Sequence, residues 1–200
     1  MSQNPYSNNV LLNLGIQSLN KMQEVAQQAI LNEDNILLLS PTGSGKTLAF
    51  LLPIFQLLEE DVKGVQCLIL VPSRELGLQI EQVWKKMGTH YKVNTCYGGH
   101  SIETEFKNLS NPPALLIGTP GRITDHIERG SFATENVKTY VLDEFDKSLQ
   151  LGFREEMSYI IGKITKVNKR VLVSATSGVE IPKYTKVVNP KVLDFIPKEK

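Results

Sequence analysis

The octapeptide Ser40-Pro41-Thr42-Gly43-Ser44-Gly45-Lys46-Thr47 combines glycines, a lysine and a hydroxyl at the spacing that suits a nucleoside triphosphate. Glycines let backbone N–H groups turn inward around phosphate oxygens. Lys46 is spaced to reach the β- and γ-phosphates, and the Thr47 hydroxyl to ligate Mg²⁺. Only the first glycine of the general pattern is missing, replaced by Ser40. A second reactive pair, Asp143-Glu144, closes the apolar run Tyr140–Leu142. The first carboxylate suits Mg²⁺, a hard, oxygen-seeking ion, jointly with Thr47. The second suits orienting or deprotonating an attacking water. Lys46, Asp143 and Glu144 are therefore the candidate catalytic residues, and Thr47 and Asp143 the candidate metal ligands.

Such a loop works when a strand delivers it and a helix N-terminus meets the phosphates. The apolar run Ile36–Leu39 precedes it and Leu48–Leu52 follows. Further apolar runs at Cys67–Val71, Ala114–Ile117, Tyr140–Leu142 and Val171–Val173 are continuous rather than alternating, as in strands buried on both faces of a parallel sheet. Val93–Cys96 is a weaker strand candidate. Helical patterns lie between them, at Gln23–Leu31, Thr47–Leu58, Arg74–Met87, Ile102–Leu109, Arg122–Glu128 and Phe153–Ile164. Alternation of the two predicts an α/β fold, a mostly parallel central sheet with helices on both faces. The acidic strand is expected beside the strand that leads to the phosphate loop. Each of the five main strands ends in a polar or glycine cluster, and open α/β sheets bind ligands at the carboxyl ends of their strands.

Composition agrees. Two hundred residues with 41% hydrophobic content suit one domain with a substantial core. A net charge of +1 gives no global field toward nucleic acid, so any such site is local. Cys67 and Cys96 lack metal-ligand spacing and read as core thiols of a reduced compartment. No secretory signal pattern or bilayer-length apolar stretch is present, so a cytoplasmic protein without a membrane partner is expected.

From Gly15 to Thr176 the motifs resemble, in order, those of the DEAD-box ATP-dependent RNA helicases, specifically their first RecA-like, P-loop NTPase domain. Ser40–Thr47 matches the phosphate-binding motif. Pro72-Ser73-Arg74-Glu75-Leu76 is similar to the family's Pro-Thr-Arg-Glu-Leu element, and Gly98-Gly99 to its glycine pair. Thr119-Pro120-Gly121-Arg122 matches unchanged. Asp143-Glu144-Phe145-Asp146, continuing through Gly152-Phe153, resembles the motif that names the family, with Phe145 where Ala is usual. Ser174-Ala175-Thr176 matches the motif that couples hydrolysis to RNA. Ser73 stands for Thr and Gly77 for Ala.

The resemblance implies ATP and Mg²⁺ as cofactors and RNA as partner. It makes Gln23 the adenine-reading glutamine, because a side-chain amide can pair with adenine N6 and N7. The prolines and the aromatic residue of that motif are absent, the family's upstream aromatic would fall before Met1, and Tyr6 is at a different spacing. Pro72, Ser73, Arg74, Gly98, Gly99, Thr119, Pro120, Gly121 and Arg122 would contact the RNA backbone without reading bases. Asp146, Ser174 and Thr176 would couple the nucleotide and RNA ends through hydrogen bonds from both hydroxyls to Asp146. Within one domain over 1–200, residues 1–14 are expected as an N-terminal extension, 15–34 as the adenine segment, 35–190 as the core and 191–200 as the start of an interdomain linker. The second RecA-like domain, source of the family's arginine fingers, is absent from this sequence. The expected function is ATP and RNA binding within an ATP-dependent RNA helicase, nearly inactive as this domain alone. A non-hydrolysing RNA scaffold and a DNA-directed helicase of the same fold are the alternatives. GTPases and transport ATPases lack support, since Asn-Lys-x-Asp and Leu-Ser-Gly-Gly-Gln do not occur.

Overall fold

The apolar runs become strands whose successive side chains enter two separate apolar clusters. The computed structural model describes residues 5–197, with side chains from residue 9 onward; the Tyr6 side chain and the stretch 198–200 of the expected linker lie outside the described residues. Seven strands form one sheet: β1 (Asn35–Leu39), β2 (Cys67–Leu70), β3 (Val93–Cys96), β4 (Leu115–Gly118), β5 (Thr139–Leu142), β6 (Lys169–Ser174) and β7 (Lys191–Asp194). Every pairing is parallel, in the order β3-β4-β2-β5-β6-β1-β7. The connections carry α1 (Pro5–Leu14), α2 (Lys21–Asn32), α3 (Lys46–Leu57), α4 (Arg74–Met87), α5 (Ile102–Leu109), α6 (Pro120–Glu128), α7 (Phe145–Gln150) and α8 (Arg154–Lys163).

One cluster joins Ile36, Leu38, Ile69, Ile117, Val141 and Val173 to Ala26, Phe50, Ile54, Ile80 and Trp84 of α2, α3 and α4. The other joins Leu37, Leu39, Leu68, Leu116, Leu142 and Leu172 to Ile123, Met157 and Ile160 of α6 and α8. Alternate strand residues thus supply opposite faces, which is why β2, β4 and β5 are buried throughout.

Two expectations change. First, β5 is not next to β1; β6 lies between them, paired to both. The acidic strand end and the phosphate loop are therefore bridged by the Ser174–Thr176 turn. Second, 191–194 is not linker but the edge strand β7, with Ile36 opposite Lys191 and Leu38 opposite Leu193. Of its four residues only Leu193 is buried, so it leaves no continuous apolar run to detect. Charged Lys191 and Asp194 at its ends suit an exposed edge. The segment expected as an extension also holds α1, whose Val10 joins the core while Asn13 Nδ2 donates to the Met87 carbonyl at 3.0 Å.

Candidate nucleotide site and nucleic-acid face

The phosphate loop leaves β1 with Ser40 fully buried, its N–H donating to the Ser174 carbonyl at 3.0 Å. Gly43 and Gly45 both take left-handed backbone, at φ of 78° and 86°, where other residues are strained. Ser40 Oγ donates to Ser44 Oγ at 2.6 Å across the loop. The loop is also clasped from α2. Asn20 caps that helix in a reciprocal box with Gln23, Oδ1 accepting from the Gln23 N–H and Gln23 Oε1 from the Asn20 N–H, both at 2.9 Å. Asn20 Nδ2 then donates to the Ser44 carbonyl at 3.0 Å, and Gln23 Nε2 to the Gly45 carbonyl at 3.2 Å. A methyl on Gly45 would meet Gln23 Nε2 at 2.5 Å, so this contact itself requires glycine. Gln23 is 7% exposed and keeps one N–H and one lone pair beyond these bonds.

Lys46 opens α3 immediately after the loop, and its Nζ is buried with no hydrogen-bond partner among the described residues. Asp143 Oδ1 and Asp146 Oδ1 share that condition. Buried polar atoms without partners are costly, and in native sites they mark where a ligand completes the set. An ammonium and a carboxylate beside a glycine loop fit a triphosphate with its Mg²⁺. Asp143 is pushed up to about 7, mainly by burial, with the Lys46 charge pulling it back and Glu144 opposing that. Glu144 occupies left-handed backbone at φ 49°, an uncommon state for a non-glycine and a frequent mark of functional positions. Its carboxylate pairs with Lys147 at 3.0 Å.

The coupling residues meet in part. Thr176 Oγ1 donates to Asp146 Oδ2 at 2.9 Å. Ser174 does not reach Asp146; its Oγ accepts the Thr176 N–H at 3.1 Å and donates to the Thr176 carbonyl at 3.0 Å. Ser174 orders the turn and Thr176 makes the link.

The other strand ends carry Pro72-Ser73-Arg74, Gly98-Gly99 and Thr119–Arg122. Ser73 caps α4, its Oγ accepting from the Leu76 N–H at 3.3 Å. Exposed Arg74 lies over the Tyr97 ring, 4.9 Å from its centroid, and that ring sits 5.5 Å from His100. Thr119 precedes α6 with Pro120 in its first turn, and the Thr119 hydroxyl does not cap the helix. Arg122 faces inward, its side chain 12% exposed, with Nη1 donating to Glu105 Oε2 at 3.3 Å and Nη2 to the His100 carbonyl at 3.1 Å. Glu105 and His126, both buried, escape sequence reading. Glu105 shares the buried stripe of α5 with Leu109, while Phe106 is 48% exposed, an inversion of the usual polarity. Burial alone pushes the Glu105 carboxyl up, but bonds from His126 and the Tyr97 N–H and the Arg122 charge outweigh it and hold the group below its ordinary value.

A glycine loop between a parallel strand and a helix, facing an acidic strand end two strands away, defines a RecA-like phosphate-loop NTPase domain. The DEAD/DEAH box helicase family pattern matches residues 20–183, and the chain belongs to that family. It is 36% identical over 169 residues to the ATP-dependent RNA helicase CshA of Limosilactobacillus reuteri, covering 84% of this chain and 34% of that protein. It is 34% identical over 179 residues to the ATP-dependent RNA helicase DeaD of Escherichia coli K12, covering 88% of this chain and 28% of that one. The chain thus spans about a third of the length of these curated relatives. The crystal structure of a DEAD box protein from Methanococcus jannaschii superposes with a TM-score of 0.86 at 31% identity, covering 97% of this chain and 54% of that one.

Proposed function

We propose that this chain is the ATP-holding, RNA-facing first domain of an ATP-dependent RNA helicase that works with a second RecA-like domain. The observation that carries this reading is that Lys46 Nζ, on the first residue of the helix after the glycine loop, and Asp143 Oδ1, just past the end of β5, are both buried and have no hydrogen-bond partner among the described residues. Lys46 and the loop from Ser40 to Thr47 hold the phosphates, and Thr47 with Asp143 holds Mg²⁺, which neutralises triphosphate charge when bound. Glu144 orients and deprotonates the attacking water. Gln23 presents its remaining donor and acceptor to adenine while it clasps the loop. The link from Asp146 to Thr176 ties the acidic strand end to β6. RNA lies across Ser73, Arg74, Gly98, Gly99, Thr119 and Gly121, with buried Pro72 and Pro120 and inward-facing Arg122 shaping that face from beneath, and is held by its backbone phosphates rather than by its bases. The adenine segment is 15–34, the core extends through β7, and the linker begins beyond Asp194. Among the described residues no helix is long and apolar enough to cross a membrane, and the proposed setting is the cytoplasm.

Titration with a fluorescent ATP analogue and Mg²⁺ tests the nucleotide half. Lys46→Ala is expected to weaken binding about tenfold or more, about 1.4 kcal/mol; equal affinities overturn the reading. Competition between an oligouridylate and its deoxy counterpart tests the RNA half, with the ribose strand expected to bind more tightly.

A further inference from the structure

We propose that Glu105 is a positioning residue of the RNA-facing surface, and that Arg122 serves there as a strut rather than as a free phosphate ligand. The inference rests on the reading that the Gly98-Gly99 loop and Thr119–Arg122 face RNA. The Glu105 side chain is 2% exposed, and both oxygens are fully used. Oε1 accepts the Tyr97 N–H at 3.1 Å and lies 3.3 Å from His100 Nδ1. Oε2 accepts from Arg122 Nη1 at 3.3 Å and lies 2.7 Å from His126 Nε2, whose Nδ1 is 2.9 Å from Ser131 Oγ. One carboxylate therefore ties together the residues on either side of Gly98-Gly99 and the first two turns of α6.

Arg122 completes the tie, since its other nitrogen holds the carbonyl of His100. Two of its five N–H donors are engaged by protein acceptors and its side chain is only 12% exposed, so little of the guanidinium is presented to a phosphate. What it does fix is the spacing between two segments whose useful groups are neutral: the glycine-pair N–H groups and the Thr119 hydroxyl. The Thr119 N–H itself donates to the Cys96 carbonyl at 3.1 Å, a second, shorter tie between the same segments. A methyl added at Gly98 or Gly99 would meet nothing within 4 Å, so the two glycines are held through their flanks rather than by contacts of their own. Those flanks are the Arg74–Tyr97–His100 stack and Glu105, which accepts the Tyr97 N–H at one end and lies 3.3 Å from His100 Nδ1 at the other.

The sign of one substitution separates the two roles. If Arg122 is a phosphate ligand restrained by Glu105, then Glu105→Gln frees a positive charge and RNA binds more tightly. If Arg122 is a strut, the same change loosens the surface and RNA binds more weakly. Salt dependence gives a second readout. Losing a charged phosphate contact lowers the salt slope for single strands by about 0.7, whereas misplacing neutral donors leaves it unchanged.

The test uses this chain with a fluorescein-labelled oligouridylate across a salt series, with binding of a fluorescent ADP analogue as the check on folding. Glu105→Gln and Arg122→Gln are each expected to weaken RNA binding about fivefold to tenfold, with the salt slope kept. The double variant is expected to be no weaker than either single one, as for two members of one network. Tighter or unchanged binding by Glu105→Gln, a reduced slope in Arg122→Gln, or additive losses overturn the proposal. If Glu105→Gln does not fold, the slope of Arg122→Gln decides alone. Absence of binding by the unaltered chain instead overturns the RNA-face reading, and the strut with it.

Discussion

Asp143 directly follows β5 at 2% exposure, and that burial sets its chemistry. Its carboxyl is raised from 3.8 to about 7, chiefly by desolvation. A raised folded value means that the native state binds more protons than the unfolded one between about pH 4 and pH 7. Stability therefore falls as pH rises through that window, and the loss is complete above it. At about 1.4 kcal/mol per unit, the cost of ionising this one group is on the order of 4 kcal/mol. Asp143→Asn removes the titration, so the nucleotide-free variant is expected to melt above the native chain at pH 8 and near it at pH 4. Parallel melting profiles for the two proteins would refute this. The same physics explains why such a site suits a divalent ion: a cation opposite Asp143 reverses the cost of its charge.

At the scale of elements, the short helix α7 shows how a departure from the family's motif is accommodated. Phe145 stands where alanine is usual in the family's motif. The ring is 1% exposed and belongs to the apolar cluster with Leu142, Met157 and Ile160. It anchors a six-residue helix that carries Asp146 and hence the link to Thr176. Phe145→Ala, although it restores the usual residue, is expected to lose about 3–5 kcal/mol through the cavity it leaves. Urea unfolding reads this directly, and a loss below about 1 kcal/mol would show that the ring is dispensable. Gly77 makes the opposite adjustment. A methyl there would lie 3.1 Å from Thr95 Cγ2 and 3.3 Å from Val71 Cγ2, so α4 sits closer to the sheet than alanine would comfortably allow.

For the molecule as a whole, the groups proposed to hold phosphate and metal lie at the carboxyl ends of the interior strands β1 and β5, while the family's arginine fingers belong to a second domain. An arginine finger contributes about 10³–10⁵ in rate. The chain alone is expected to turn over ATP very slowly, with no stimulation by RNA, and robust RNA-stimulated turnover would overturn that expectation. The strands, the phosphate loop and Asp143-Glu144 were legible in the amino-acid order because each is a local pattern, a buried run ending in polar residues. β7 was not, because an edge strand needs only one buried side chain, and Glu105 was not, because nothing local distinguishes a buried glutamate from a solvated one. The sequence by itself thus determined the fold class, the glycine loop between β1 and α3 and the position of the acidic pair at a strand end. Only the tertiary structure decided that β6 separates them, that Gln23 clasps the loop, that Thr176 rather than Ser174 reaches Asp146, and that Arg122 turns inward to Glu105. Spacing along a chain specifies which groups lie at a strand end, but strand order and side-chain partners are settled by which apolar faces pack together and which buried charges must be paired.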